Sequence, residues 1–132
     1  MKKKMWILLV VFMTTGSYCK AQDLKPTQNE DGKYGYIDDE GKEVVPFQYD
    51  DAWRFSEGLA SVELDGKYGF IDKTGKVVIP IIYEMVGNFI GGKARVERMR
   101  KYIGGDRGGV VCQYNHINKK EILLGEWKEE AY

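Results

Sequence analysis

The chain has 132 residues, 20 basic against 20 acidic side chains, a single histidine and two cysteines. That length is expected to hold one small domain, large enough for a core but with little margin. The charge balance gives no global electrostatic case for a nucleic-acid partner, and two cysteines cannot build a disulfide framework.

The first segment reads as a secretory signal. Lys2, Lys3 and Lys4 form a basic start, Met5 to Met13 is an apolar run, and Cys19-Lys20-Ala21 places small side chains before a cut ahead of Gln22. The run is too short for a transmembrane helix. Acylation at Cys19 is the alternative, but Tyr18 is bulky where a lipoprotein site wants a small residue. Residues 1–21 are therefore expected to be a signal peptide, and the mature chain to be periplasmic, cell-surface or secreted, with no transmembrane segment. Without the four leader lysines, 16 basic residues face 20 acidic ones, a net of −4. Cys112, left without a partner, is expected as a buried thiol in an apolar strand. The polar stretch 22–30 is expected as a linker.

From residue 31 the chain repeats itself. Asp31-Gly-Lys-Tyr-Gly-Tyr-Ile-Asp38 returns as Asp65-Gly-Lys-Tyr-Gly-Phe-Ile-Asp72, and 17 of 34 positions are identical between 31–64 and 65–98. A fixed period of this size marks an array whose units bury their apolar faces against one another. Within a unit, Leu59–Leu64 alternates apolar with small or polar residues, as a half-buried strand does. Asp65-Gly66 predicts a two-residue hairpin turn, with Asp31-Gly32 as its copy. Lys67 to Ile71 is the second strand, and Asp72-Lys-Thr-Gly75 predicts a type I turn closed by a glycine bulge, copied at Asp38–Gly41. Lys76 to Ile79 is the third strand, which Pro80, like Pro46 before it, is expected to end. Pro46, Tyr49, Ala52, Phe55 and Gly58 then fall three apart, which predicts a short helical or 3₁₀ turn. Gly35 and Gly69 lie inside strands, a costly placement that implies close approach of another group, expected to be an aromatic ring. Tyr36, Phe55, Phe70 and Phe89 are assigned to the core.

After Glu97 the repeat fades. Met99 to Gly109 reads as a flexible loop, Arg107 to Cys112 as a strand, Gln113 to Asn118 as an enlarged turn and Lys119 to Leu124 as a returning strand. A degenerate unit over 99–132 with a polar outer face would cap the array. The fold class expected is all-β: tandem antiparallel three-stranded meanders, two full and one degenerate, in a short open solenoid or curled sheet.

The unit Lys-Tyr-Gly-Tyr/Phe-Ile-Asp-x-x-Gly-Lys-x-Val-x-Pro, followed by Tyr and Phe-x-x-Gly-x-Ala-x-Val, resembles the WG-repeat (tryptophan–glycine β-repeat) family of bacterial proteins. The match is close over 31–98 and weak over 99–132. It departs at Tyr34 and Tyr68, where many members have Trp. The resemblance implies an all-β repeat, frequently exported and without a known catalytic residue set, acting as a binding or scaffold module. It supplies no ligand and no site.

Catalytic constellations are sparse. His116 is expected in a solvated turn, and with Cys112 four residues away it makes a two-ligand pair where zinc wants three or four. Asp38-Asp39-Glu40 with Asp50-Asp51 are the acids a calcium loop or a glycosidase would draw on, but repeat two has Lys73 and Thr74 in place of Asp39 and Glu40. No catalytic residue, metal or cofactor is expected. Lys93, Arg95, Arg98, Arg100, Lys101 and Arg107, against Glu97 and Asp106, form one basic cluster, which suits either an anionic partner or a charged edge that discourages sheet pairing. Trp53 stands where repeat two has Gly87, so the repeat does not require it, and it is the best single candidate for a contact residue. The function expected is an exported, non-enzymatic, monomeric module binding a partner protein or envelope glycan. An envelope hydrolase or a structural remnant of a longer array are the alternatives.

Overall fold

The computed structural model describes residues 23–104, 106 and 108–132, so the expected signal peptide lies outside the described residues. Among them are eleven strands and no helix. β1 (Lys25–Gln28), β2 (Tyr34–Ile37) and β3 (Glu43–Tyr49) form one sheet; β4 (Asp51–Ala52), β5 (Leu59–Leu64), β6 (Lys67–Asp72) and β7 (Val77–Tyr83) a second; β8 (Met85–Val86), β9 (Lys93–Ile103), β10 (Gly109–Asn118) and β11 (Lys128–Ala131) a third. Each is an antiparallel meander in chain order, and none closes into a barrel.

One turn type is used four times. Asp38 and Asp72 each accept backbone N–H groups on the side chain two and four residues on, at 2.8–3.1 Å, and the glycine three residues on donates back to their carbonyl. Asn118 does the same for Lys120 and Ile122, with Glu121 at positive φ in the glycine position. Asn29 opens the fourth copy, which ends at Gly32. Asp31-Gly32 is therefore the tail of a longer turn. Of the two Asp-Gly pairs, Asp65-Gly66, with both residues at positive φ and Leu64 opposite Lys67, is the two-residue hairpin.

Residues 22–30, expected as a linker, contain β1. KPTQ carries no strand signature, but its four residues pair along the edge of β2, satisfying backbone groups that β2 would otherwise leave open. The two prolines do not end their strands. Pro46 and Pro80 sit inside β3 and β7, both edge strands, where the register slips so that Pro46–Gln48 faces Gly35 alone and Pro80–Ile82 faces Gly69 alone. A bulge on an edge strand tolerates the missing donor. It is this bulged backbone, and not an aromatic ring, that lies against Gly35 and Gly69: a Cβ on Gly69 would meet Ile79 O at 2.6 Å and Pro80 O at 2.7 Å.

The spacing by threes after Pro46 is no helix either. The chain stays extended, turns slightly at Asp50 and continues as β4, which pairs with β5 of the next sheet; Glu84 makes the same step from β7 to β8. The third strand of each of the first two units thus begins in its own sheet and finishes in the next. Ser56 and Leu59, and Ile90 and Lys93, close tight turns that lead into β5 and β9.

Two cores repeat the same composition. Tyr36, Val45, Tyr49, Ala52, Ala60, Val62 and Ile71 build the first, with Phe55 against it. Phe70, Ile79, Tyr83, Phe89, Ala94, Val96 and Ile117 build the second, with Val86 against it. Phe70 and Ile71 are neighbours pointing to opposite faces, so the middle sheet is buried on both sides. Edge-to-face pairs, Tyr36 on Phe55 at 4.9 Å and Phe70 on Phe89 at 4.8 Å, occupy equivalent places. Cys112 is fully buried and unpaired with another cysteine.

The third unit keeps this frame but lengthens its first hairpin. Gln113 to Asn118, expected as a turn, is strand, and of Met99 to Gly109, expected as a loop, the first five residues continue β9 to Ile103 and Gly109 begins β10. Beyond the turn at Asn118, Ile122–Leu124 returns with only a bridge from Leu123 to Ile117 and a bond from Leu124 N–H to His116 O.

Candidate binding groove at the second seam

Trp53 leaves β4 with its backbone fixed twice. Its N–H donates to Ser61 O at 3.1 Å, and its carbonyl accepts from the Tyr36 hydroxyl at 2.6 Å. Burial pushes the Tyr36 phenol well above its ordinary pKa, so it remains a donor. The indole then lies tilted on Tyr68, ring centres 5.6 Å apart, and stays 37% exposed. Across from these rings stand Met85, Val86, Gly87 and Asn88, and Ser61 completes a groove of about 280 Å³ between the second and third sheets. Gly87 supplies the opening, because it is the repeat counterpart of Trp53 and brings no side chain.

The previous seam carries a related groove of about 500 Å³, lined by residues that include Pro26, Arg54 and Phe55. Arg54 is the repeat counterpart of Asn88, and Pro26 stands opposite Tyr36 as Ser61 stands opposite Phe70. Successive seams therefore present grooves at matching places, the first polar and basic, the second aromatic.

At the outer face of the third sheet the same positions hold different chemistry. Arg95 replaces Ser61, and His116 replaces Phe70 opposite it. The Arg95 guanidinium lies 3.9 Å over Tyr114, as the Trp53 ring lies over Tyr68 one unit earlier. It also donates to Glu130 at 2.6 Å and Glu97 at 3.2 Å. Its bond to Glu130 holds Arg95 firmly charged, and bonds from Tyr132 and Arg95 keep the Glu130 carboxyl below its usual range. A charged, internally satisfied surface thus replaces the apolar one that a further unit would need.

The basic cluster does not converge. Strand alternation sends Lys93 and Arg95 to one face and Arg98 to the other. Arg98 stacks 4.1 Å over Trp127 and bonds Gln113, while Lys93 and Lys101 are exposed. The register puts Arg100 opposite Cys112 and Lys101 opposite Val111, beyond the array proper. His116 is half-buried in β10 with its ring 6.4 Å from Tyr114, not in a solvated turn. Asp39 reaches Lys25 at 3.7 Å on the surface, Asp50 is bonded by Lys33 and by Asp65 N–H, and no cluster of three or more His, Cys, Asp or Glu suited to a metal occurs among the described residues. The salt bridge from Lys67 to Glu84 repeats the one from Lys33 to Asp50 one unit on.

Sequence reasoning singled out Trp53 through its mismatch with Gly87. It missed Met85–Asn88, whose signal was available only as the counterpart of Asp51–Arg54.

Tyr36→Phe tests how Trp53 is held. Phe70 shows that phenylalanine packs at this place, so the change isolates the hydroxyl. It is expected to cost about 1–2 kcal/mol, because the Trp53 carbonyl loses its donor. Urea unfolding measures the loss, and a midpoint unchanged from the parent would contradict it.

These features define a tandem β-repeat array with bulged, seam-crossing third strands. The family model described as "WG containing repeat" matches residues 34–68 and 68–102, and the chain belongs to that family. No curated protein and no solved structure matches it.

Proposed function

We propose that this WG-repeat array is an exported, non-enzymatic binding module that engages an extended partner, a protein segment or an envelope glycan, across its seams. The observation carrying this reading is the Trp53–Tyr68 pair. It offers a half-exposed aromatic platform in an open groove, at a position where the repeat itself is satisfied by glycine. Aromatic rings give large contact area at little conformational cost, and tryptophan leads among residues that dominate binding energy. The matching groove one seam earlier, with Arg54 at its rim, suits a linear chain better than a compact small molecule. The signal-like pattern of residues 1–21 supports export.

The test is titration of the mature chain with purified envelope polymers and with extended peptides, followed by tryptophan emission, with Trp127→Phe isolating Trp53. Trp53→Ala is expected to weaken binding about thirtyfold, the scale of a central hot spot, while leaving the unfolding midpoint nearly unchanged. Equal affinity of parent and variant would remove Trp53 from the reading. Turnover of any bound polymer would overturn the non-enzymatic assignment.

A further inference from the structure

Among the described residues β1 ends its sheet, whereas its counterparts in the later units are covered. Pro26 and Gln28 stand opposite Tyr36 and Tyr34 as Ser61 and Glu63 stand opposite Phe70 and Tyr68, so β1 is the first-unit form of β5. The outer edge of β5 carries β4: Asp50 N–H donates to Glu63 O at 2.9 Å and Trp53 N–H to Ser61 O at 3.1 Å. The outer edge of β9 carries β8 in the same way, with Glu84 N–H and Gly87 N–H donating to Glu97 O and Arg95 O, both at 2.8 Å. Backbone alternation turns the Gln28 N–H and the carbonyls of Pro26 and Gln28 outward, at the places of these acceptors. Pro26 offers no N–H, but the bond at its counterpart runs the other way, into Ser61 O.

The groove at the first seam follows this edge. Five consecutive residues, Asp23 to Thr27, line it together with Arg54 and Phe55. Side chains alternate across a strand, so consecutive lining residues mean a groove that runs along the backbone edge and not over one face. At the second seam Ser61 represents β5 in the groove, because β4 lies on the rest of the edge. The strands β4 and β8 also indicate what fits. Each sets a small apolar side chain, Ala52 or Val86, opposite Val62 or Val96, and the β1 counterpart of Val62 is Thr27. The following residue, Trp53 at the second seam, looks across the groove to Asn88, whose place at the first seam is held by Arg54. An acidic side chain there would meet a cation. A second copy offers no seam-crossing strand, since β4 and β8 are paired within it and β11 is held on β10.

We propose that the outer edge of β1 takes up an extended segment of another protein as an added antiparallel strand, with a small apolar residue opposite Thr27 and an acidic one facing Arg54. This rests on the binding-module reading above and commits it, at the first seam, to a protein strand held through its backbone. The Trp53 groove takes no part in the contact.

The probe is a synthetic peptide copying residues 48–55 with Trp53→Glu, titrated into the mature chain and followed by amide NMR and hydrogen exchange. It is expected to bind and to slow exchange of the Gln28 N–H. Gln28→Pro removes that outward donor without touching the β1–β2 ladder and should weaken binding about tenfold. Gln28→Ala keeps the N–H and should bind as the parent does. N-methylation of the peptide at the amides matching Asp50 and Trp53 should abolish binding. Arg54→Gln should weaken it severalfold, with the difference shrinking in high salt, and Trp53→Ala in the protein should leave it unchanged. Circular dichroism melts confirm that each variant is folded. Absence of peptide binding would overturn the proposal, as would binding indifferent to both Gln28→Pro and N-methylation; either result leaves the Trp53 reading standing. Binding lost only with Trp53→Ala would move the peptide to the second groove and overturn edge addition. Self-association of the mature chain that Gln28→Pro abolishes would give the edge to a second copy and overturn it as well.

Discussion

Gly69→Ala is expected to destabilise the protein by on the order of 4 kcal/mol, among the largest effects a single methyl can have. The added Cβ would lie 2.6 Å from Ile79 O, 2.7 Å from Pro80 O and 2.8 Å from Ile81 Cα. All three atoms are backbone, so no side chain can swing away, and relief requires moving β7 off β6. Gly35 faces the same bulge one unit earlier, where an added methyl would lie 2.5 Å from Val45 O, and should behave alike. Gly41 provides the contrast. It sits at φ +80° with open space around it, so alanine there meets only the left-handed backbone penalty, about 1 kcal/mol. Urea unfolding of the three variants separates the cases. A Gly69→Ala protein as stable as Gly41→Ala would mean that the bulged strand yields easily.

Phe70→Ala should cost about 3–5 kcal/mol. The ring is 1% exposed, meets Phe89 edge-on at 4.8 Å and packs with Ile79, Val96 and Ile117, drawing on two sheets at once. A cavity there removes contacts on both sides of the seam, so the sheets cannot collapse to fill it without breaking their pairing. Against a total stability typical of small domains, about 5–15 kcal/mol, the variant should lose cooperative near-ultraviolet signal well below the parent's melting temperature. Phe70→Leu keeps most of the volume and should cost much less. A small loss for Phe70→Ala would argue that the second core is loosely packed.

What could be read from the residues was mainly local. Asp38 and Asp72 announce their turns because one carboxylate organises the next four residues. Val62, Phe70 and Val96 announce the core through alternation. Pairing between distant segments was less legible. Nothing in KPTQ indicates a strand, because the demand comes from the open edge of β2. Pro80 reads as a strand end only until the bulge opposite Gly69 is known. The glycines of 104–109 suggest a long loop, whereas the register of Lys101 with Val111 extends the strands almost to them. The candidate site divides the same way. Trp53 stands out by comparison with Gly87, but the groove exists only because one sheet stacks on the next. Arg95 and Arg98 look like one patch along the sequence and face opposite ways along the strand.

The passage of each third strand from its own sheet into the next also governs how the molecule comes apart. A sequence repeat is not an independent unit of stability, since cutting between copies deprives one sheet of an edge or the other of its first strand. Peeling β7 from β6 pulls on β8 and so opens the third sheet, and loss of β3 similarly frees β4 from β5. Under force or protease attack the array should therefore fail as one body, resisting up to a single threshold, with no stage at which one copy is shed and its neighbours stay folded.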